Sequence, residues 1–242
     1  MSSRATHPFA RVAALVVAAA VAAGLYGGPP PPVAAQTVIY INDTDDPSTV
    51  TSQCEEPSDP CSLRGAVGRA ANFSGGIIIR ACFDPTIVPG AEPCPTGVRP
   101  LSARSRGFDA ATGRWTIRLT RDREFLLAQG GTFIDFRIGY PWQGPQDNRI
   151  RIESSGPTME TAFRVASQRN VLAGFELRGA FTEAAIHVPG GILGEAARLN
   201  QLGPGLVFAG IPAGAGIKLT SELATANTVV GNWCGITGDG TI

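Results

Sequence analysis

Residues 54–72 read CEEPSDPCSLRGAVGRAAN, and this stretch places two cysteines directly before the pattern of one short helix. Cys54 and Cys61 are separated by Pro, Ser and Asp, which favour turns, so we expect a disulfide between them. Most of the chain that follows has the pattern of β-strands. The sequence therefore predicts a stapled loop and a short helix at the start of a β-rich domain.

The helix is expected to begin after Ser62, a suitable N-cap, and to end near Asn72 and the glycines at 75–76. Arg64 and Arg69 are expected to face away from its apolar side. A helix of this length is not stable alone in water, so it should cover an apolar surface. Its apolar stripe consists of Leu63, Ala66, Val67, Ala70 and Ala71.

The segment CSLRGAVGRAAN (61–72) resembles the motif of the CSLREA domain, and GGIIIRACFDP (75–85) is similar to that family's first strand. The resemblance implies an exported bacterial protein in which a short N-terminal helix caps a right-handed parallel β-helix, an all-β fold. Gly65 replaces the family's Glu at the third helical position, where Glu would close a capping box. We therefore expect a weaker helix, held by its apolar face and the disulfide.

The first 35 residues have the pattern of a cleaved export signal, and an uncleaved anchor is the alternative. Arg4 and Arg11 give a positive start, residues 12–26 are apolar, and small residues precede Gln36. This run is shorter than the roughly 20 residues of a membrane-spanning helix, so we expect no membrane span in the mature chain. The predicted location is extracellular or at the cell surface, where disulfides form.

Three further cysteines follow the opening pair. Cys82 and Cys94 are the next expected disulfide. Cys234 is left over, either as a buried free thiol or paired with another molecule.

Short apolar runs separated by Gly, Pro, Asn or Ser fill most of the chain after residue 113. We expect a signal at 1–35, a cap with an irregular loop at 36–112, and a parallel β-helix at 113–242 that is incomplete at its C-terminus. A sandwich or barrel of the same strands is the alternative. The expected strands are 115–119, 124–128, 132–138, 149–154, 162–166, 170–179, 184–188, 205–210, 216–219 and 227–236.

Three of these runs, AFRV, AAIHV and AGIKL, share an apolar residue followed by Arg, His or Lys and another apolar residue. They begin near positions 162, 184 and 215, roughly one and one and a half coil lengths apart. Repeats of this size indicate a solenoid. NTVVGNWCGI (227–236) also resembles the asparagine-containing turns of parallel β-helices, through Asn227 and Asn232.

The sequence offers no complete catalytic set for the polysaccharide hydrolases and lyases that use this fold. His187 is the one histidine outside the signal, and we interpret it as an outward-facing structural residue. Asp135, Glu153 and Glu176 are strand acids, interpreted as a solvated face. No catalytic residue is therefore assigned.

The densest acidic cluster is Asp43, Asp45 and Asp46. A calcium site and a plain turn are the two interpretations, and the turn is favoured because Asp and Asn favour turns in any case. No other cofactor or metal is expected.

Arginines recur on the expected strands, and Arg149 and Arg151 alternate with isoleucines, which places both arginines on one face. If the strands stack in register, they form a basic ladder able to bind carboxylated or sulfated glycans, and an ordinary solvated exterior is the alternative. The candidates are Arg149, Arg151, Arg164 and Arg178.

Basic and acidic residues number 20 each, so no overall charge attracts nucleic acid. The expected function is that of a non-catalytic stalk, display or adhesion surface, with a polysaccharide or cell-surface glycan as the partner. A polysaccharide lyase or glycoside hydrolase on the same fold is the alternative.

Overall fold

Short β-strands and one α-helix form most of the regular structure of the described residues. The structure is a computed structural model. It describes residues 37–47, 54–73, 76–119, 123–138, 144–154, 156, 159–190, 196–212 and 214–235. The predictions of a signal at 1–35 and of an incomplete C-terminal end fall on residues outside these ranges.

In chain order the elements are β1 (Thr37–Ile41), α1 (Leu63–Ala70), β2 (Ile77–Ala81), β3 (Phe108–Asp109), β4 (Arg114–Leu119), β5 (Phe125–Leu127), β6 (Thr132–Asp135), a 3-10 turn (Pro145–Asp147), β7 (Ile150–Ser154), β8 (Thr161–Val165), β9 (Val171–Ala173), β10 (Phe175–Arg178), β11 (Ala184–Val188), β12 (Gln201–Leu202), β13 (Val207–Ala209), β14 (Ala215–Leu219), β15 (Thr228–Val229) and β16 (Trp233–Cys234).

These strands form three sheets that the chain visits in turn. The first sheet has the order β1-β2-β6-β9-β12-β15, the second β3-β4-β7-β10-β13-β16, and the third β5-β8-β11-β14. From β4 onward each sheet receives every third strand, and we call one passage through the three sheets a circuit. The paired strands are parallel except for β3 and β4. The prediction of a mostly β structure with one short helix is confirmed, and the sheets are parallel.

The pairing register shows that the circuits differ in length. In the first sheet Ile78 pairs with Phe133, and Phe133 with Val171, 55 and 38 positions apart along the chain. Val171 then pairs with Gln201, and Gln201 with Thr228, 30 and 27 positions apart. Each pair of residues lies one circuit apart, so the extra length of the early circuits is in their turns.

The three runs that share one pattern lie side by side in the third sheet. Phe163 pairs with Ile186, and Ile186 pairs with Ile217. Both intervals are therefore one circuit, and the estimate of one and a half coil lengths for the second interval is wrong. The circuits are unequal because their turns are unequal. The basic residues of the pattern are aligned in the same way: Arg164, His187 and Lys218.

The inner faces of the three sheets share one apolar core. Phe125 and Phe163 of the third sheet have ring centroids 5.0 Å apart. Phe163 is 5.5 Å from Phe175 of the second sheet, and Phe175 is 5.7 Å from Phe136, directly after β6 of the first. All four rings are buried. Burial of such side chains stabilises the fold and forces the alternate residues of each strand outward.

Asparagines stack at the corner that precedes the first sheet. The side-chain oxygen of Asn170 accepts a hydrogen bond from the Thr132 backbone N–H at 3.1 Å. Asn200 accepts in the same way from Asn170 at 2.8 Å, and Asn227 from Asn200 at 3.0 Å. Asn170, Asn200 and Asn227 therefore form a ladder, in which each asparagine bonds a backbone group one circuit away.

A second pair of asparagines bonds backbone carbonyls near the corner between the first and second sheets. Asn232 donates to the Leu202 carbonyl, and Asn148 to the Gly205 carbonyl, each at 2.8 Å. Asn227 and Asn232 are the two asparagines that the sequence pattern placed at turns. Both join neighbouring circuits.

Helix α1 covers apolar residues beside β1, β2 and β5. Ser62 is its N-cap and accepts a hydrogen bond from the Gly65 N–H at 3.1 Å. Leu63, Ala66, Val67 and Ala70 are buried, whereas Ala71 is the exposed C-cap.

The expectation that Arg64 faces away from the packed side is wrong. Its guanidinium lies 4.7 Å from the centre of the Phe125 ring and forms an ion pair with the buried Asp46 carboxylate. It also donates to the Arg123 carbonyl at 2.9 Å. A long arginine stem reaches around the edge of a short helix, so Arg64 fastens α1 to the third sheet.

Both expected cysteine pairs are joined, with Cα atoms 4.6 Å apart for Cys54–Cys61 and 5.6 Å apart for Cys82–Cys94. The second disulfide pins an excursion, residues 84–100, that leaves and rejoins the fold at a parallel bridge between Phe83 and Leu101. Cys234 is exposed and forms no disulfide among the described residues.

Two strand predictions need correction. The run 170–179 is not one strand, because Gly174 turns the chain between β9 and β10 with a φ of 77°. A Cβ at Gly174 would lie 2.5 Å from the Arg137 backbone nitrogen, so the corner requires glycine. Strand β12 was not predicted, because its two residues, Gln201 and Leu202, are too few to show an alternating pattern.

Replacing Asn200 with Ala tests the ladder. The change leaves the buried Asn170 N–H without its acceptor and removes the bond from Asn200 Nδ2 to the Ser167 carbonyl. We expect the free energy of unfolding to fall by about 3 kcal/mol, measured by urea denaturation. The control is Asn72→Ala, at an exposed position. Equal stability of the two variants would contradict the role of the ladder.

Candidate functional site

The outer face of the second sheet carries the densest group of arginines on the described strands. Its inward residues are apolar, for example Ile117, Ile152 and Leu177, which pair across three neighbouring strands. The alternate positions therefore point outward. We call this surface the arginine face; it contains Arg114, Arg118, Arg149, Arg151 and Arg178, together with Asp109, Glu153 and Glu176.

A buried carboxylate lies in the middle of the arginine face. Glu176 pairs in register with Arg151, and its side chain is 0% exposed. Arg151 Nε lies 3.1 Å from one carboxylate oxygen, and Arg114 Nη1 lies 3.9 Å from the other. These two cations offset the cost of burying the charge of Glu176. The interpretation of Glu176 as a solvated acid is therefore wrong. Its partner Arg151 is also largely covered, with 14% of its side chain exposed.

Two of the predicted ligand-binding arginines are left without a carboxylate partner among the described residues. Arg149 and Arg178 form none of the ion pairs found there. Arg118 lies 3.7 Å from the Glu153 carboxylate but is 74% exposed. The arginine face thus has five guanidinium groups for three carboxylates. Arg118 is exposed, whereas Arg149 and Arg178 are half-buried.

Arg164 does not belong to this group. It lies on the outer face of the third sheet, where its Nε is 2.5 Å from a Glu124 carboxylate oxygen. The four candidates from the sequence therefore divide between two sheets, three on the second and one on the third.

His187 lies next to Arg164 at the centre of a polar cluster on the third sheet. Its Nε2 is 2.8 Å from the Thr220 hydroxyl, and its Nδ1 is 3.1 Å from a Glu183 carboxylate oxygen. Lys218 Nζ donates to the other oxygen of Glu183 at 3.0 Å. His187 shares the outward side of its strand with Arg164 and Lys218, yet its ring is buried rather than solvated.

The charges of this cluster shift two pKa values. Burial lowers the pKa of His187 below its ordinary 6.5; the Glu183 carboxylate opposes this change, and Arg164 and Lys218 add to it. The hydrogen bond from Lys218 lowers the pKa of Glu183. At neutral pH the cluster thus holds an ionised Glu183 and an uncharged His187.

A hydroxyl, an imidazole and a carboxylate in this order are the groups of an activated nucleophile. Such a site needs the carboxylate to orient the imidazole through a hydrogen bond. Nδ1 of His187 makes no such bond to Glu183, despite the short distance. Glu183 instead accepts a hydrogen bond from Lys218, which lies on the neighbouring strand. The contacts of this cluster therefore join neighbouring circuits.

The other two strand acids, Asp135 and Glu153, form ion pairs with arginines. Asp135 accepts two hydrogen bonds from Arg137, at 2.8 and 2.5 Å. Asp135 is on the first sheet, whereas Glu153 and Glu176 are on the second. The three strand acids therefore do not form one solvated face.

The acidic cluster near residue 45 has separate partners. Asp43 accepts from the Asp45 N–H at 3.1 Å, which is a turn contact. Asp45 accepts from Arg106 at 3.0 and 3.1 Å, and Asp46 pairs with Arg64. Within the described residues, no group of three His, Cys, Asp or Glu side chains is placed to hold a metal ion.

A cleft lies between the outer face of the first sheet and the disulfide-pinned excursion. Its volume is about 260 Å³. Tyr40, Arg80 and Asp135 lie on the sheet side, and residues 91–93 lie on the excursion side. We call this feature the side cleft.

No protein-family model matches the chain, and neither a curated protein nor a solved structure is significantly similar to it. None of the helices in the described ranges is both long and apolar enough to span a membrane.

Sequence reasoning missed the residues that act across circuits. Glu183 and Thr220 are outside the pattern shared by the strands of Arg164, His187 and Lys218, because both lie in turns next to the strands. Arg80 and Arg137 stand in apolar runs with no charge periodicity. The alternation in β2 and the Asp-x-Arg spacing after β6 are the signals that place both arginines outward.

Acidification should destabilise the protein through His187. The unfolded chain takes up a proton near pH 6.5, whereas the folded state resists protonation until a lower pH. The contribution of His187 to stability is thus complete above about pH 6.5 and is lost as pH falls below it. We expect the free energy of unfolding to decrease between about pH 7.5 and pH 5.5 in urea titrations.

His187→Gln removes the titrating group and keeps a hydrogen-bonding side chain. In this variant the same pH interval should leave the free energy of unfolding nearly constant. Glu183 titrates in a lower range, because its pKa is lowered from 4.5, so it does not contribute to this interval. An equal slope in the wild type and the variant would contradict the assignment.

Proposed function

We propose that the protein is an exported, non-catalytic parallel β-helix that presents the arginine face to acidic polysaccharides as an adhesion or display surface. The proposal has three parts: the fold, the export and the ligand.

The strand order and register support the fold. Each described strand after β3 pairs in parallel with the strand one circuit away, and the three inner faces share one core. The stacked asparagines bond the backbone of neighbouring circuits, so parallel strands stay paired although the turns between them differ in length. Helix α1 with the Cys54–Cys61 disulfide lies beside β1, the edge strand of the first sheet, where a solenoid needs a cap. This place agrees with the resemblance of residues 61–72 to the CSLREA motif.

Two disulfides and the apolar segment at the start of the chain support export. Disulfides persist in oxidising compartments. An exported protein that meets polysaccharide at a cell surface needs no cofactor for this role.

The arginine face carries the assignment of the ligand. Arg149 and Arg178 have no carboxylate partner in the described part of the chain, and Arg118 is largely exposed. Strands lie about 4.8 Å apart, so Arg118 and Arg178, two strands apart, are separated by roughly 10 Å at their Cα atoms. Planar guanidinium groups bind carboxylate and sulfate in a bidentate manner. A chain with regularly spaced acidic groups therefore matches this surface.

The double change Arg149→Gln and Arg178→Gln tests the ligand. The secreted protein is sedimented with polygalacturonate, alginate, a sulfated galactan or neutral dextran, and the bound fraction and polymer length are recorded. We expect the wild type to bind one or more acidic polymers, not dextran, without shortening them. The double variant should bind about tenfold more weakly, because two charge-assisted contacts are lost.

The matched control is Arg99→Gln with Arg198→Gln, which changes the net charge equally at two exposed sites outside the second sheet. This control should keep the wild-type affinity at physiological salt. Equal loss in both double variants would show a general charge effect and contradict a specific face. Shortened polymer would instead establish the alternative, a polysaccharide-cleaving enzyme.

A further inference from the structure

The side cleft is built from two elements that are fixed relative to each other. Tyr40 and Arg80 pair in register on β1 and β2, and Asp135 lies beside Arg80 on β6. The opposite wall is the excursion, which is held at its base by the Phe83–Leu101 bridge and by the Cys82–Cys94 disulfide. Fixed walls reduce the entropy cost of binding a ligand.

The charges that line the side cleft balance one another. Arg80 Nη1 donates to Glu92 at 3.1 Å, across the cleft from the sheet to the excursion. Arg137 donates to both oxygens of Asp135. With two guanidinium groups and two carboxylates, the cleft has no excess charge to attract an anion. This separates it from the arginine face, where cations are in excess.

The polar groups of the cleft suit neighbouring hydroxyls. A hydroxyl both donates and accepts, and a guanidinium next to a carboxylate offers donors and acceptors side by side. Tyr40 adds a phenolic hydroxyl of the same kind. Neutral ligands with vicinal hydroxyls can thus bond to both members of each ion pair.

The walls of the cleft also contain apolar surface. Ala91, Pro93 and Ile138 line it together with Tyr40, whereas the bordering Phe83 and Phe136 are buried in the core. A pyranose ring presents C–H groups on one face and hydroxyls around its edge, which fits this mixture. The volume of about 260 Å³ is below that of sites for drug-sized ligands, roughly 300–1,000 Å³. The cleft therefore suits one ring rather than an extended chain.

We propose that the side cleft, between Tyr40, Arg80 and Asp135 on the first sheet and residues 91–93 of the excursion, binds a single neutral sugar ring of a glycan. This site is independent of the arginine face, since the two lie on different sheets.

Calorimetric titration of the secreted protein with neutral trisaccharides tests the site. Cellotriose, xylotriose, mannotriose and maltotriose are the probes, and the trimer of galacturonic acid is the charged comparison. We expect at least one neutral probe to bind with a dissociation constant of about 1 mM or below. The acidic trimer should not compete for this site.

Arg80→Met and Glu92→Ala each remove one partner of the ion pair across the cleft. Both side chains are exposed, 41% for Arg80 and 79% for Glu92, so the urea midpoint should stay at the wild-type value. Each variant should weaken binding of the neutral probe about tenfold. The control Arg118→Gln, on the arginine face, should leave it unchanged.

Three results would overturn the proposal. They are no binding of any neutral probe by the wild type, unchanged wild-type affinity in both folded cleft variants, and competition by the acidic trimer. If Arg80→Met does not fold, Glu92→Ala carries the test, because that side chain is the more exposed. Loss of polygalacturonate binding in Arg149→Gln/Arg178→Gln, with neutral binding retained, would keep the two surfaces distinct.

Discussion

Hydrogen bonds between stacked asparagines hold successive circuits in register. Strands β12 and β15 have two residues each, so their own ladder bonds are few. Asn170, Asn200 and Asn227 add side-chain bonds to the backbone of the neighbouring circuit at the corner before these strands. Because a shift of one residue would turn every side chain to the opposite face, the outer surfaces depend on this register.

The register gives the three outer faces different electrostatic characters. On the second sheet, pairing places Arg151 against Glu176 and leaves an excess of guanidinium groups around them. On the third sheet, Glu183 pairs with Lys218 and Glu124 pairs with Arg164, so most charges are compensated. The first sheet adds a cleft with balanced charges. One repeated strand plan therefore carries outer surfaces of different charge.

The sequence allowed the strand content and the helix to be predicted, because these follow from local periodicity and capping. The repeated apolar-basic-apolar pattern marked the strands of Phe163, Ile186 and Ile217 as alike, but the estimated spacing did not place all three one circuit apart. Glu176 and Arg64 were misjudged, because their burial depends on side chains from other circuits or elements. Since circuits differ in length, no fixed spacing in the sequence shows which residues meet.

Circuit length falls from 55 to 27 residues along the first sheet, while the paired columns continue without a break. Extra residues leave the sheets at corners, and the excursion at 84–100 is one such insertion. Chains of this kind are therefore best compared by the position of each residue within its circuit, rather than by its number in the sequence. A scaffold of this design can gain a new wall, and with it a new cleft, by lengthening one corner while its core stays unaltered.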